Sequence, residues 1–178
     1  MAEKFDSINQ EHIDFIKKQH LFFIGTAGAE GFINVSPKGM DTLKVIAPNK
    51  VIWLNHTGSG NESSAHVQEN GRMTIMFCSF DKKPLILKLY GDAKVIHPRD
   101  KAWDEMTEHF DIFVGARQFF EIDITLVLTS CGFGVPKYKY IGERNGLIKW
   151  ADNAGKDGMK KYWEEKNQVT LDGKATNI

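Results

Sequence analysis

Leu54-Asn55-His56-Thr57-Gly58-Ser59-Gly60-Asn61-Glu62-Ser63-Ser64-Ala65-His66 is the stretch on which the reading of this chain turns. The apolar run Val51 to Leu54 passes into a Gly/Ser/Thr loop that opens a short helix. The first N–H groups of a helix lack intrahelical acceptors and sit at the positive end of its dipole, so this arrangement makes an anion site. The hydroxyls of Thr57, Ser59, Ser63 and Ser64 add donors. The same residues also read as an ordinary capped turn, with Ser59 or Asn61 satisfying its own helix. No Gly-Lys-Ser/Thr follows the glycines, so the loop is not a P-loop.

Working outward, Asn70-Gly71 closes the short helix, because glycine adopts the left-handed conformation that ends one. Arg72 to Phe80 follows as a strand with two largely apolar faces, the pattern of a barrel centre or an interface. Leu85 to Ile96 is a long strand whose Gly91 suits a bulge or a close backbone approach, and His97-Pro98 ends it. Lys101 to His109 reads as helix and Gln118 to Thr129 as a strand rich in Phe, Ile, Val and Thr. Upstream, Ala47-Pro48-Asn49-Lys50 is a turn, and Leu21 to Thr26 with Phe32 to Ser36 forms a hairpin whose second arm Pro37 stops. Ser7-Ile8-Asn9-Gln10 has capping-box spacing ahead of an amphipathic helix carrying Ile8, Phe15 and Ile16. Past Gly134 the chain turns polar, with a helix from about Lys156 to Lys166 and a final segment that no pattern places. Five or six strands with local connections and few helices predict a mainly β, antiparallel barrel rather than a βαβ sheet.

A chain of 178 residues, 42% apolar and 26% charged, is expected to form one soluble domain over residues 1–178. Its barrel core covers about 8–134, and 135–178 is a partly helical extension. The 23 basic and 23 acidic residues cancel, which removes any general attraction to nucleic acid or anionic membrane. Cys78 and Cys131 make neither a disulfide framework nor a zinc pattern, and buried or free thiols are expected. With no signal-peptide pattern and no run of membrane-spanning length, the sequence reads as cytoplasmic.

Several chemistries lose support. His12, His20, His56, His66, His97 and His109 are dispersed, so no metal site is expected. The serines lack a Gly-x-Ser-x-Gly elbow, and Gly132-Phe133-Gly134 lacks the third glycine of a dinucleotide fold. What remains is the helix start, flanked by Ser36-Pro37-Lys38, with Lys38 as a cation for it or as a solvated turn lysine. Trp53, Phe77, Phe80 and Tyr90 offer walls for a flat cofactor or, equally, core side chains.

The order of these pieces carries a resemblance. Asn34-Val35-Ser36-Pro37-Lys38-Gly39, Val51-Ile52-Trp53-Leu54, Gly58 to His66, Glu69 to Phe77 and Leu87-Lys88-Leu89-Tyr90-Gly91-Asp92-Ala93 together resemble the pyridoxamine 5′-phosphate oxidase-like proteins. The similarity runs from about Ile8 to about Phe133 and is nearest to a bacterial branch that also carries Gly115-Ala116-Arg117-Gln118 and the Thr129 to Pro136 loop. It implies an FMN-binding split β-barrel of antiparallel Greek-key type, forming a homodimer with FMN between the subunits. It places the flavin phosphate at Ser59, Gly60, Asn61, Ser63 and Ser64, next to the Thr57 hydroxyl. Lys38 and the Ser36-Pro37 backbone would lie along the ring, Trp53, Leu54 and Asn55 would line the site, and Arg117 and Gln118 would come from the second subunit. Flavin carries redox chemistry itself, which accounts for the missing acid–base constellation.

The sequence also departs from the family pattern. Ser63-Ser64 stands where the oxidases have an Arg-Lys pair, implying a neutral phosphate site. An apolar residue near Ile86 replaces a glutamine, and Tyr162 to Ile178 contains no substrate-binding Arg-x-His. The expectation is therefore an FMN oxidoreductase acting on a small molecule other than pyridoxamine phosphate. The alternatives are a deazaflavin enzyme, a non-catalytic holder of flavin or haem with His56 and His66 nearest the pocket, and a scaffold with a vestigial site.

Overall fold

The computed structural model describes residues 2–178. Their elements are β1 (Glu3–Phe5), α1 (Gln10–Ile16), β2 (Phe22–Thr26), β3 (Asn34–Lys38), β4 (Leu43–Ala47), β5 (Lys50–His56), α2 (Glu62–Asn70), β6 (Arg72–Cys78), β7 (Ile86–Ile96), α3 (Trp103–Thr107), β8 (Ala116–Ser130) and α4 (Gly146–Lys166). All strand pairings are antiparallel, along the path β3-β2-β6-β7-β8-β5-β4, with β1 added to β8. The mainly β architecture with peripheral helices is as the sequence predicts.

The long strand β8 organises the sheet. One edge pairs with β7 from Ile96↔Phe119 to Ile86↔Ser130, while the other pairs first with β5 and then with β1. β3 and β4 end the path without pairing to each other, leaving the barrel split. One apolar cluster nevertheless contains Ile24 of β2, Leu43 of β4, Ile75 of β6, Leu89 of β7 and Phe120 of β8, so the sheet curls around a single interior. A second cluster on the opposite face joins Ile52, Leu54 and Phe119 to Met106 of α3. β5 therefore sends Val51 and Trp53 into one cluster and Ile52 and Leu54 into the other, which is why it reads as an unbroken apolar run.

Local chemistry sets the boundaries. Asn9, not Ser7, caps α1: its side chain accepts from the His12 N–H at 2.9 Å, and His12 Nδ1 accepts from the Asn9 N–H at 3.2 Å. Gly71, at φ 72°, ends α2 as expected. Gly91 sits at the β7/β8 register shift, where any Cβ would collide with the Asp123 carbonyl.

The structure departs from the sequence reading in further places. Pro37 does not stop its strand but pairs with Phe23 inside β3, tolerated because β3 is an edge. β1 and β4 are strands that the sequence pattern did not reveal. The last helix starts at Gly146, ten residues early, and breaks at Gly155 (φ 67°, ψ −179°) before the expected Lys156 to Lys166 part. The final segment folds back onto α2, where Thr170 and Thr176 are buried and Val169 bridges to Ala175.

Candidate functional site

A groove of about 320 Å³ opens at the N-terminal end of α2. β3 lines it with alternate residues, Asn34, Ser36 and Lys38. β5 contributes Trp53 and Asn55, and the register shift after Asn55 adds His56 to the same wall. Gly58, Ser59, Gly60, Asn61, Glu62 and Ser63 form the loop and first turn of α2, and Arg117 arrives from β8.

Charge converges here. The Lys38 ammonium lies 5.5 Å from the centre of the Trp53 ring. Burial, and then the neighbouring Arg117 cation, lower its pKa to about 8. Arg117, only 2% exposed, is pushed down to about 10 by burial and remains cationic at neutral pH. Its Nη1 donates to the carbonyls of Gly60 (3.0 Å) and Gly58 (3.4 Å) and to Asn167 Oδ1 (2.8 Å). The Glu62 carboxylate supports the charged form of both cations. The site therefore holds two cations partly offset by one carboxylate, a correction to the neutral site implied by Ser63-Ser64. Burial, Lys38 and Arg117 lower the His56 pKa to about 4, so its imidazole is neutral at pH 7.

Buried polar atoms normally find partners. Seven buried side-chain polar atoms among the described residues lack one, and three of them, Trp53 Nε1, His56 Nδ1 and Arg117 Nε, belong to residues lining this groove. A larger cavity of about 350 Å³ between α1 and β4 is lined by Ile13, Ile16, Phe22, Leu43, Val45 and Phe77 among others, and by none of these residues.

Of the residues predicted for the site, the groove gathers Ser36, Lys38, Trp53, Asn55, Ser59, Gly60, Asn61, Ser63 and Arg117. The others lie elsewhere. Leu54 is in the α3-side cluster, and Pro37 is on the far side of the β3 alternation. Thr57 Oγ1 donates to the Gly115 carbonyl and accepts from Trp163 Nε1. Ser64 is fully buried with Oγ donating to the Thr176 carbonyl at 2.7 Å, so its hydroxyl turns away from the groove. Gln118 trades two amide hydrogen bonds with Asn61 behind the wall. Arg117 lines the groove of its own chain, and Gln118 braces that groove's Asn61 from behind. Asn34, Gly58 and Glu62 were missed, and His56 was expected near the pocket only for a haem holder; the period of two on β3 was the available signal for Asn34. Phe77, Phe80 and Tyr90 lie outside the groove, as does His66, which is 1% exposed with Nδ1 3.1 Å from Thr26 Oγ1.

Residues 8–131 match the sequence profile described as Pyridoxamine 5'-phosphate oxidase. The chain belongs to this family. A curated relative, the pyridoxamine 5'-phosphate oxidase family protein ustO of Aspergillus flavus, is 41% identical over 137 residues, 74% of this chain and 55% of its own. The chain thus spans about half that relative's length. Among solved structures, a putative pyridoxamine 5'-phosphate oxidase from Lactobacillus delbrueckii superposes with a TM-score of 0.56 at 17% identity, covering 69% of this chain and 94% of that one. An FMN-binding protein from Syntrophomonas wolfei gives 0.50 at 14% identity, covering 64% and 79%. At these identities the structures speak for the pyridoxamine 5'-phosphate oxidase-like fold. The profile match ends before α4, so the contacts Trp163 and Asn167 make to the groove loop come from outside the matched region.

Proposed function

We propose that this protein binds FMN in the groove, as a homodimer, and acts as an oxidoreductase on a small-molecule substrate. The observation that carries this reading is the buried, unpartnered Arg117 Nε beside Lys38 at the start of α2, a donor set suited to a phosphate dianion. Ser59 and Ser63 add hydroxyls, and the face of Trp53 offers an aromatic wall. When bound, flavin supplies the electron transfer itself. The residues of the chain have simpler tasks: Lys38 and Arg117 balance charge, neutral His56 presents a ring nitrogen, and the apolar barrel behind Trp53 excludes water.

Support for a second subunit comes from the rim. β3 is an unpaired edge, and Phe32, Ile33 and Val35, exposed by 65%, 75% and 65%, border the residues that line the groove. Pyridoxamine 5′-phosphate is not the proposed substrate, because the segment Tyr162 to Ile178 packs behind the loop and lines no part of the groove. Glu62, an anion already at the helix start, favours a second reading in which flavin is held weakly without turnover.

The test is the absorbance spectrum of the purified protein with added FMN, followed anaerobically during addition of NADH or NADPH. Bleaching of the bound flavin band supports the oxidoreductase. A bound flavin that stays oxidised with every donor favours the non-catalytic holder, and no flavin binding overturns both.

A further inference from the structure

Asn167 is fully buried just beyond α4, and its side chain is spent on the groove loop. Nδ2 donates to the carbonyls of Gly58 (3.0 Å) and Ser59 (3.4 Å), while Oδ1 accepts from Arg117 Nη1 at 2.8 Å. One turn earlier, Trp163 Nε1 donates to Thr57 Oγ1 at 2.8 Å. Thr176 fixes Asn167 in turn, its hydroxyl donating to the Asn167 carbonyl while its own carbonyl accepts from Ser64 Oγ and Gln68 Nε2, each at 2.7 Å. The segment 163–177 is thus tied to the loop, to Arg117 and to α2 at once.

The consequence lies in the backbone. A trans peptide points its carbonyl and the following N–H in opposite directions. Asn167 and Arg117 engage the carbonyls of Gly58, Ser59 and Gly60. That turns the N–H groups of Ser59, Gly60 and Asn61, all groove-lining residues, away from Arg117 and Asn167.

We propose that residues 163–177 are a positioning strap for the anion site, in which Asn167 and Trp163, together with Arg117, hold the carbonyl side of the 57–60 loop so that its backbone N–H groups face one phosphate. The inference deepens the proposed FMN site and rests on that reading. Asn167 does not touch the ligand; it acts through the loop and Arg117.

The test compares Asn167→Ala and Trp163→Phe with Lys161→Ala, which cuts an exposed ion pair to Glu165 on α4 (3.8 Å) and leaves the loop contacts in place. Titrations with FMN and riboflavin isolate the phosphate. Asn167→Ala is expected to weaken FMN binding about 10- to 100-fold, the loss of hydrogen bonds to a charged group. Trp163→Phe is expected to weaken it by less, and riboflavin affinity and the FMN affinity of Lys161→Ala should stay near wild type. Equal FMN affinity in wild type and Asn167→Ala overturns the strap and leaves the flavin reading standing; so does a loss shared equally by riboflavin, which marks a merely structural role. If wild type binds neither flavin, the flavin reading fails, and inorganic phosphate followed by phosphorus NMR tests the strap alone. Weaker phosphate binding by Asn167→Ala then supports it; equal binding, or none by wild type, overturns it.

Discussion

The two sides of the loop between β5 and α2 carry the same kinds of residue and do opposite work. On the groove side, Ser59 is exposed, and Ser63, though buried, lines the groove and holds its hydroxyl 3.2 Å from Thr26 Oγ1 and 3.1 Å from Asn34 Nδ2. On the back, Thr57 and Ser64 are buried in fixed bonds to Gly115, Trp163 and Thr176. Hydroxyl-rich sequence at a helix start therefore describes a ligand surface and its scaffold together, and only tertiary partners separate them.

Substitutions on each side can break that contrast. The largest effect is expected from Arg117→Ala, the residue reaching both sides. It removes a groove cation and leaves the Gly60 carbonyl and Asn167 Oδ1 short of a donor. FMN affinity should fall at least about 100-fold, and stability by about 2–4 kcal/mol in urea unfolding. Ser59→Asp and Ser64→Asp should then diverge. The first sets a carboxylate against the phosphate and abolishes FMN binding with the unfolding midpoint unchanged. The second buries a carboxylate against the Thr176 carbonyl and lowers stability by several kcal/mol. Equal unfolding midpoints for the pair would erase the contrast between the two sides.

The parts legible in the sequence are those written in local pattern. β6 and β7 follow their apolar periods, Gly71 announces the end of α2, and the residues that line the groove from β3 alternate. β4 was lost because its burial grades from Leu43 to an exposed Ala47 without alternation. Pro37 misled because edge position is a property of the finished sheet. The Asn9 cap was hidden by Ser7 two residues before it. The least legible feature is the strap: Asn167 lies more than a hundred residues from Gly58, in a polar tail with no period to read. That Arg117 lines the groove of its own chain depends on the β8 register, and composition says nothing of it.

Acid and base sharpen the groove side further. With its pKa near 8, Lys38 loses its charge as pH rises, so FMN affinity should decline between about pH 7 and 9, where an ordinary lysine would stay charged. Lys38→Arg should flatten that profile. For folding the sign is opposite. Between about pH 8 and 10.5 the unfolded chain holds a proton on Lys38 that the folded chain does not, so this group adds stability as pH rises through that window. His56 and His97, each lowered to about 4 chiefly by burial, behave alike in acid: their contribution is complete above pH 6.5 and is lost as pH falls towards 4. Unfolding midpoints measured from pH 7 to 4 should fall, and less steeply in His97→Asn. The smallest effect is expected from Glu62→Gln, which removes the competing anion at the helix start. FMN affinity should rise a fewfold, about 0.5–1 kcal/mol, most clearly at low salt.

The most direct measurement is a pair of titrations of the wild-type protein, freed of any bound flavin, with FMN and with riboflavin under identical conditions. A phosphate-anchored groove requires FMN to bind at least about 100-fold more tightly, the worth of charge-assisted bonds to one phosphate. Equal affinity for the two flavins, or no binding of either, would contradict a phosphate site at the start of α2.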